Sequence, residues 1–258
     1  MTTTQSTRRR IVGTSLKMYF DIPSTSTYIK AVARLSDLAS QNNIDLFVIP
    51  DFVSLTSSKQ TLRDTSIILG AQDTFWESKG AYTGEVSPLT LAQAGVGLVE
   101  IGHAERRRLF HETDEEVGKK AAAAITNGIT PLVCIGEKSK PGPGVSQAVG
   151  MAVSECSTQV AAVLSAVPPS AEIVFAYEPV WAIGAAEPAS ADHVVAVTQE
   201  LRRLIAKSNR DGQVRILYGG SAGPGTFLGL KDGVDGLFLG RFAHDVRNLE
   251  KVIMEMSQ

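Results

Sequence analysis

Short apolar runs alternate with longer amphipathic segments along most of the chain. Eight runs are rich in β-branched and other apolar residues and cover residues 10–17, 45–50, 66–72, 97–102, 129–136, 172–177, 213–220 and 234–240. The longer segments repeat apolar residues at helical spacing and include residues 26–41, 114–128, 145–167 and 190–208. Because most of the short runs are continuously apolar, they are typical of strands buried on both faces of a parallel sheet. The pattern predicts a succession of strand and helix units.

Capping residues mark the ends of some of these helices. Thr113 precedes an acidic turn and has Glu116 three residues later, which is the pattern of a capping box at a helix start. Asn127 and Gly128 follow the same helical segment and are typical of a helix end. Ser190 is placed to cap the start of the helix that follows it.

The number and spacing of the units favour a closed (β/α)8 barrel. Eight strands separated by helices in about 250 residues is the usual size of such a barrel. An open, doubly wound parallel sheet has the same alternation and is the structural alternative. We therefore expect residues 10–258 to form a single α/β barrel domain and residues 1–9 to form a short flexible N-terminal extension.

Charge and composition narrow the classes of partner. The 258-residue chain has a formal net charge of -2, which gives no general attraction for nucleic acid or an anionic membrane. No stretch approaches the roughly 18 to 20 uninterrupted apolar residues that cross a bilayer. The two cysteines, Cys134 and Cys156, lie in apolar segments, where buried thiols are expected and no disulfide framework is predicted. We expect a cytoplasmic protein without nucleic-acid or membrane partners, in which a local site holds any anionic ligand.

Chemically active residues and glycines follow five of the predicted strands. Lys17, His103 and Glu178 end the first, fourth and sixth runs, and glycine-rich turns at 218–221 and 240–241 end the seventh and eighth. In either α/β architecture these strand ends face one side of the sheet. Each feature alone has an ordinary explanation, such as a solvated lysine or a glutamate that ends a strand before a proline. Their position on one shared rim is what indicates a site.

This set of side chains suits the abstraction of a proton next to a carbonyl group. A carboxylate can remove the C–H proton, an imidazole can polarise the oxygens, and an ammonium group can stabilise the developing enediolate. Glycine-rich turns and helix N-termini can bind a phosphate through backbone N–H groups. The sequence therefore predicts a site for a phosphorylated compound with a carbonyl group.

The segment that follows Glu178 has the composition of a mobile lid. Residues 179–190, "PVWAIGAAEPAS", begin with a stiff Pro-Val-Trp stretch and continue with small residues. A closing lid excludes water, which would otherwise let an enediol phosphate lose its phosphate group. An ordinary strand-to-helix loop is the alternative.

The ordered motifs of the chain resemble those of triosephosphate isomerases from about residue 10 to the C-terminal residue. They are "LKM" (16–18), "GAYTGEVSP" (80–88), "EIGHAERR" (100–107), "CIGE" (134–137), "AYEPVWAIG" (176–184), "YGGS" (218–221) and "DGLFLG" (235–240). Together they are highly specific. The resemblance implies a (β/α)8 barrel isomerase that interconverts dihydroxyacetone phosphate and D-glyceraldehyde 3-phosphate in glycolysis and gluconeogenesis.

The resemblance also implies a role for each matching residue, and these roles are already established for the family. Glu178 corresponds to the base, His103 to the neutral electrophile, Lys17 to the electrostatic cation and Glu105 to the acid beside the lysine. The family's phosphate-binding positions correspond to Gly184, Ser221 and Gly240. Residues 80–85 resemble the family's dimerisation loop, in which Thr83 would reach the partner's active site, so a homodimer is expected. No metal or organic cofactor is implied.

Several residues depart from the family pattern close to the same site. Ser15 stands where the family usually has asparagine, and Leu16 where it usually has tryptophan. Ala104 replaces the serine after the histidine, Glu187 lies where the lid usually has lysine, and Arg241 replaces a phosphate-binding glycine. A shorter side chain at Ser15 leaves room, and a guanidinium at Arg241 can contact phosphate in a bidentate manner. Ser15 and Arg241 are therefore candidate substrate-binding residues.

Three hypotheses for function follow. The first is isomerisation of triose phosphates, which the catalytic residues support. The second is the same chemistry on a four-carbon ketose phosphate, converting L-erythrulose 1-phosphate to D-erythrulose 4-phosphate, because the departures look like those of a branch with that activity. The third is a barrel without catalytic activity that binds a sugar phosphate, which the altered lid and Ala104 would suit.

Overall fold

The chain folds into a closed barrel of eight parallel strands, seen in a computed structural model that describes residues 8–140, 145–183 and 189–258. The strands follow one another in sequence order around the barrel, and the eighth pairs with the first. They are β1 (Arg10–Ser15), β2 (Ile44–Ile49), β3 (Ile68–Ala71), β4 (Leu98–Ile101), β5 (Thr130–Ile135), β6 (Ile173–Tyr177), β7 (Val214–Tyr218) and β8 (Gly236–Leu239). The predicted barrel is confirmed, because an open sheet would leave β1 and β8 apart.

Helices surround the barrel on its outer face. In the described part of the chain they are α1 (Ile22–Ala33), α2 (Ser36–Gln41), α3 (Leu55–Leu62), α4 (Pro88–Gln93), α5 (Ala104–Leu109), α6 (Asp114–Thr126), α7 (Val145–Ala166), α8 (Ala191–Ala206), α9 (Phe227–Leu230) and α10 (Val246–Met256). Short 3₁₀ turns at Val180–Ala182 and Arg241–His244 follow β6 and β8.

The predicted capping residues act as expected at α6 and α8. Thr113 and Glu116 form both hydrogen bonds of the capping box, and the Ser190 side chain accepts a hydrogen bond from the backbone N–H of His193. Gly128 follows α6 with a φ of 75°, which favours glycine. These contacts fix where the two helices begin and where α6 ends.

The segment predicted as one helix over 26–41 is two helices. The first, α1, starts earlier than predicted because the Asp21 side chain accepts a hydrogen bond from the backbone N–H of Ser24 at 2.8 Å and Pro23 lies in the first turn. It ends at Ala33, and α2 begins at Ser36. The prediction of a continuous helix was therefore wrong, since helical periodicity alone does not register a short break.

Two hydrophobic cores lie on either side of the strands. The inner core fills the barrel with side chains from alternate strand positions: Ile11, Phe47, Ile49, Leu98, Leu132, Cys134, Val174, Ala176, Leu217 and Phe238. The outer core packs the other strand face against the helices. Gly236 keeps β8 close to β1, because a Cβ atom there would lie 1.6 Å from the Ile11 carbonyl oxygen.

Charged side chains close the barrel at the N-terminal ends of its strands. The Arg215 guanidinium is buried and contacts Asp45 at 2.5 Å and Glu172 at 2.6 Å. The inner core lies above this ion pair network. The cavity lined by Ser15, His103 and Glu178 lies at the opposite end of the barrel, where the strands end.

The helix α7 is long and apolar enough, between Ser146 and Ala166, to cross a membrane by length and composition alone. Its buried residues Ala148, Ala152, Cys156, Val160 and Val163 recur with helical spacing on one face. That face packs against the barrel and the neighbouring helices α6 and α8. The helix is thus part of the outer layer of this domain.

A buried ion cluster ties the loop after β3 to α5 and α6. The Lys120 ammonium lies 2.9 Å from both Asp73 carboxylate oxygens and also contacts Glu112. Arg106 adds a contact of 2.7 Å to Asp73. The other oxygen of Glu112 accepts a hydrogen bond from the backbone N–H of Gly102 at 3.1 Å. The cluster therefore supports the turn that leads out of β4.

We expect Lys120→Ala to destabilise the protein by about 3–5 kcal/mol, because it removes the buried cation shared by Asp73 and Glu112 and leaves them the partly exposed Arg106 as counter-charge. Lys119→Ala is the matched control, since Lys119 is half exposed and pairs with exposed Glu115 on the surface. Its expected cost is below about 1 kcal/mol. Denaturant unfolding of both variants measures the difference. Equal effects would show that the buried cluster has no special role in stability.

Candidate active site

A cavity of about 520 Å³ opens at the C-terminal ends of the strands. Residues predicted from the sequence to lie at the site line it: Ser15, Lys17, His103, Glu105, Glu178, Ser221, Gly240 and Arg241. They follow or end β1, β4, β6, β7 and β8. The closed barrel thus brings together side chains that are far apart in the sequence, and their chemical roles stay predictions.

Glu178 is held rigidly at the first position after β6. Its backbone N–H donates to the Ile135 carbonyl oxygen at 2.8 Å, and the residue is only 4% exposed. A Cβ atom on Gly136 would lie 1.9 Å from the Glu178 carbonyl oxygen, and one on Gly219 would lie 2.4 Å from its Oε1 atom. Glycine at 136 lets the neighbouring strand approach the backbone of Glu178, and glycine at 219 leaves room for its carboxyl group.

The surroundings of Glu178 make it a stronger base than an ordinary glutamate. Burial and then the nearby Glu100 raise the pKa of Glu178 to about 8, while Lys17 opposes that shift. Its Oε2 atom is buried and has no hydrogen-bond partner among the described residues. An unsatisfied carboxylate oxygen facing a cavity is suited to accept a proton from a bound substrate.

His103 is neutral and faces Glu178. Its Nε2 atom lies 3.4 Å from Glu178 Oε2, and its Nδ1 atom accepts a hydrogen bond from the backbone N–H of Glu105 at 3.1 Å. That bond places the ring proton on Nε2. Burial, together with the charge of Lys17, lowers the pKa of His103 to about 4. A neutral imidazole can therefore donate its Nε2 proton to an oxygen in the cavity near neutral pH.

Lys17 supplies the positive charge of the site. Its Nζ atom lies 2.8 Å from Glu105 Oε1, and the Gln72 side-chain amide donates to the Lys17 carbonyl oxygen at 2.8 Å. Burial favours the neutral amine, but Glu105 and the more distant carboxylates outweigh it and raise the pKa of Lys17. The backbone of Lys17 has a φ of 49°, which is an unusual conformation for lysine. Strained residues of this kind cluster at functional sites.

The ends of β7 and β8 form the other wall of the cavity. The Ser221 hydroxyl donates to the Ala182 carbonyl oxygen at 3.4 Å, which ties the turn after β7 to the 3₁₀ turn after β6. Arg241 starts the 3₁₀ turn after β8 and is exposed. Its guanidinium makes no ion pair with any residue that the structure describes. It is thus available to an anion in the cavity.

The tip of the predicted lid, which includes Gly184 and Glu187, lies outside the described residues, at 184–188. The start of that segment is described. The Trp181 indole N–H donates to Glu137 Oε1 at 2.8 Å, and Tyr177 contacts the same oxygen at 3.2 Å. These bonds hold the base of the segment against the barrel.

Glu100 is a further buried carboxyl group that the sequence analysis did not single out. It lies on β4 and is 3% exposed. A sequence signal was present, because Glu100 is the one charged residue in the run "GLVEIG" and lies two positions after Leu98 on the same strand face. Thr83, by contrast, lies in an exposed loop and does not line the cavity of its own chain.

Comparison with known proteins places this geometry in a family context. The model of the triosephosphate isomerase family matches residues 10–256. An L-erythrulose-1-phosphate isomerase from Pectobacterium atrosepticum is 44% identical over 93% of both chains. One from Rhizobium etli is 41% identical over 95% of this chain and 92% of its own. A triosephosphate isomerase from Thermoanaerobacter pseudethanolicus is 37% identical over 95% of this chain and 99% of its own.

We expect Glu178→Gln to stabilise the protein at alkaline pH. The pKa of Glu178 in the folded state, about 8, exceeds the ordinary value of 4.5. Between these values the unfolded chain loses a proton that the folded chain keeps, so this carboxyl group lowers the free energy of unfolding as pH rises. At pH 9 the variant should gain roughly 1–2 kcal/mol, or about 2–8 °C in Tm. The gain should vanish near pH 4.

Thermal unfolding from pH 4 to pH 9 measures this effect. Glu250→Gln is the control, because Glu250 is an exposed carboxylate on α10 and its removal should give no such pH-dependent gain. A Glu178→Gln variant whose Tm follows that of the wild type at every pH would contradict the assigned environment of Glu178.

Proposed function

The chain belongs to the triosephosphate isomerase family, and we propose that it acts within that family on a four-carbon ketose phosphate. It is a sugar-phosphate isomerase. The proposed reaction moves the carbonyl between the two inner carbons, converting L-erythrulose 1-phosphate to D-erythrulose 4-phosphate. The observation that carries the proposal is Ser15, whose short side chain lines the cavity and whose hydroxyl group is buried without a hydrogen-bond partner among the described residues.

Two further observations support the four-carbon substrate. The two relatives named L-erythrulose-1-phosphate isomerase are more similar to this chain than the triosephosphate isomerase of T. pseudethanolicus is. Arg241 also lines the cavity beside Gly240, where it can grip a phosphate with two N–H groups. A rebuilt phosphate site and a roomier position at Ser15 together suit a longer substrate.

The arrangement of side chains gives a balanced proton transfer. Glu178 removes the proton from C3 of L-erythrulose 1-phosphate, and His103 gives its Nε2 proton to the C2 carbonyl oxygen as the 2,3-enediol forms. The Lys17 ammonium offsets the enediolate charge that develops. Glu178 then returns its proton to C2, and the C3 hydroxyl gives its proton back to His103 Nε2 as it becomes the new carbonyl. The base, the hydrogen-bond donor and the cation are all side chains of this protein.

We expect kcat/KM for L-erythrulose 1-phosphate to exceed that for dihydroxyacetone phosphate by about 100-fold or more, since a site that binds a substrate hydroxyl discriminates strongly against an analogue without it. Side-by-side assays of the purified protein, with product followed by ¹³C NMR of the carbonyl carbon, measure the ratio. A preference for the triose phosphate would instead support the glycolytic and gluconeogenic role. Phosphate-ester binding without turnover of either sugar would support a non-catalytic barrel.

We also propose that the protein is a cytoplasmic homodimer. Large apolar side chains are exposed on the loops near the site: Met18 is 96% exposed, Val53 76% and Tyr82 44%. Tyr82 is the neighbour of Thr83, which the family resemblance places against a partner's site. Burial of these apolar groups against a second copy would favour association. Cys134 and Cys156 are free, buried thiols, in keeping with a reducing compartment.

The dimer predicts a mass of twice 27.5 kDa in light scattering. Met18→Glu should shift the protein toward monomer, because it places a carboxylate in an apolar interface. Met254→Glu is the control, since Met254 is 54% exposed on α10, away from these loops, and its replacement should leave the dimer intact. A monomeric wild-type protein would contradict the proposal.

A further inference from the structure

Glu100 is a buried acid to which the reaction described above gives no task. It lies on the inner face of β4, two residues after Leu98 of the inner core, and is 3% exposed. An apolar side chain there would extend that core at no electrostatic cost. Burial of a carboxyl group is unfavourable unless it is paired or has another role.

The contacts of Glu100 leave hydrogen bonds unmade. The Ser15 hydroxyl lies close enough to lower the pKa of Glu100, but not in the geometry of a full hydrogen bond. Ser15 Oγ and Glu100 Oε2 are both buried and lack hydrogen-bond partners among the described residues. A polar pair kept only for stability would be satisfied, as most buried polar atoms are. These two neighbouring oxygens are therefore available to hydrogen-bond each other and a ligand group.

The position of the pair in the barrel identifies the part of the substrate it would meet. In a closed barrel of eight strands in sequence order, β4 lies across from β8. The candidate phosphate contacts Gly240 and Arg241 follow β8, whereas Glu100 lies on β4, which also leads to His103. Ser15 ends β1, the neighbour of β8, but its side chain lines the cavity and lies close to Glu100. A substrate held by its phosphate beyond β8, with its reacting carbons between Glu178 and His103, would bring its far carbon into the part of the barrel interior that this pair shares.

We propose that Ser15 and Glu100 form a receptor for the hydroxymethyl group on the far carbon of the four-carbon substrate, with Ser15 in contact and Glu100 positioning Ser15. Ser15 lines the cavity, and Glu100 is buried close to Ser15. The inference rests on the proposed function, because triose phosphates have a hydrogen atom in place of that group. Dihydroxyacetone phosphate is L-erythrulose 1-phosphate without the hydroxymethyl group, so the two sugars are a matched pair.

Glu100 acts as a neutral acid in this arrangement. Burial raises the pKa of Glu100 to about 7, with Glu105 and Asp73 adding to the shift and Ser15 and Lys17 opposing it. The negative charge of a substrate phosphate in the same site would further disfavour the ionised form of Glu100. The neutral Glu100 then donates its O–H to Ser15 Oγ, and Ser15 donates its own O–H to the substrate hydroxyl. The chain of hydrogen bonds satisfies both buried oxygens.

Two substitutions of Glu100 test the inference by the ratio of kcat/KM for L-erythrulose 1-phosphate to that for dihydroxyacetone phosphate. Glu100→Leu fills the space but cannot hydrogen-bond, so the ratio should fall about 100-fold, largely through lost tetrulose activity. Glu100→Gln is neutral and keeps a donor, so the ratio should stay within about fivefold of the wild-type value. Thermal unfolding of each variant verifies that it is folded.

Cys134→Ala is the control, because Cys134 is another buried side chain of the inner core near Glu178 and Glu100. It should change the rates on both sugars by similar factors. Ser15→Ala combined with Glu100→Leu should lower the ratio no further than Glu100→Leu alone, since the two residues act as one unit.

The outcomes separate this inference from the proposed function. If the wild-type enzyme prefers the tetrulose and Glu100→Leu changes both sugars equally, the inference is overturned and the proposed function stands. If the wild-type enzyme prefers the triose, the proposed function is overturned and the inference falls with it. A wild-type tetrulose preference that Glu100→Leu abolishes and Glu100→Gln retains supports both.

Discussion

A carboxylate that takes a proton from carbon must be poorly solvated, and the neighbours of Glu178 are arranged to keep it so. Glycines at 136 and 219 let adjacent strands close on it, and the inner core lies beneath it. Burial favours the neutral acid and raises the pKa of Glu178 to about 8. At a pH above the ordinary pKa of a glutamate, the same burial lowers the free energy of unfolding. The environment that makes Glu178 a stronger base therefore makes the protein less stable.

Burial shifts the pKa values of Glu178 and His103 in opposite directions, and this gives the two groups different roles. It raises the pKa of Glu178 but lowers that of His103, because in each case it disfavours the charged form. Lys17 remains a cation because Glu105, 2.8 Å from it at the more exposed edge of the cavity, and the more distant carboxylates outweigh the effect of burial. The ion pair of Lys17 and Glu105 at the rim thus supplies a fixed positive charge. In the buried interior, Glu178 can act as a base and His103 as a neutral hydrogen-bond donor.

The sequence predicts the fold well because buried parallel strands are continuously apolar, and all eight appear in the structure within a few residues of their predicted bounds. It predicts Lys17, His103 and Glu178 because their place after a strand fixes the side of the barrel on which they lie. Glu100 was missed for a related reason. It lies inside a run that looks uniformly buried. Its neighbour Ser15 ends β1, and only closure of the barrel brings side chains from the non-adjacent strands β1 and β4 into one interior. The break between α1 and α2 was missed because helical spacing continues across it.

Different residues of this barrel are proposed for proton transfer and for recognition of the two ends of the substrate. In the proposed reaction, proton transfer needs Glu178, His103 and Lys17, which act on two adjacent carbons and their oxygens whatever those carbons carry. Substrate length would then be decided where the molecule ends, at the phosphate beside Arg241 and at Ser15, which both line the cavity. Because neither Ser15 nor Arg241 belongs to the proton-transfer set, both can change without moving the groups that transfer the proton. A barrel with an unaltered base and imidazole can therefore exchange one sugar phosphate for another through the residues at the two ends of its cavity.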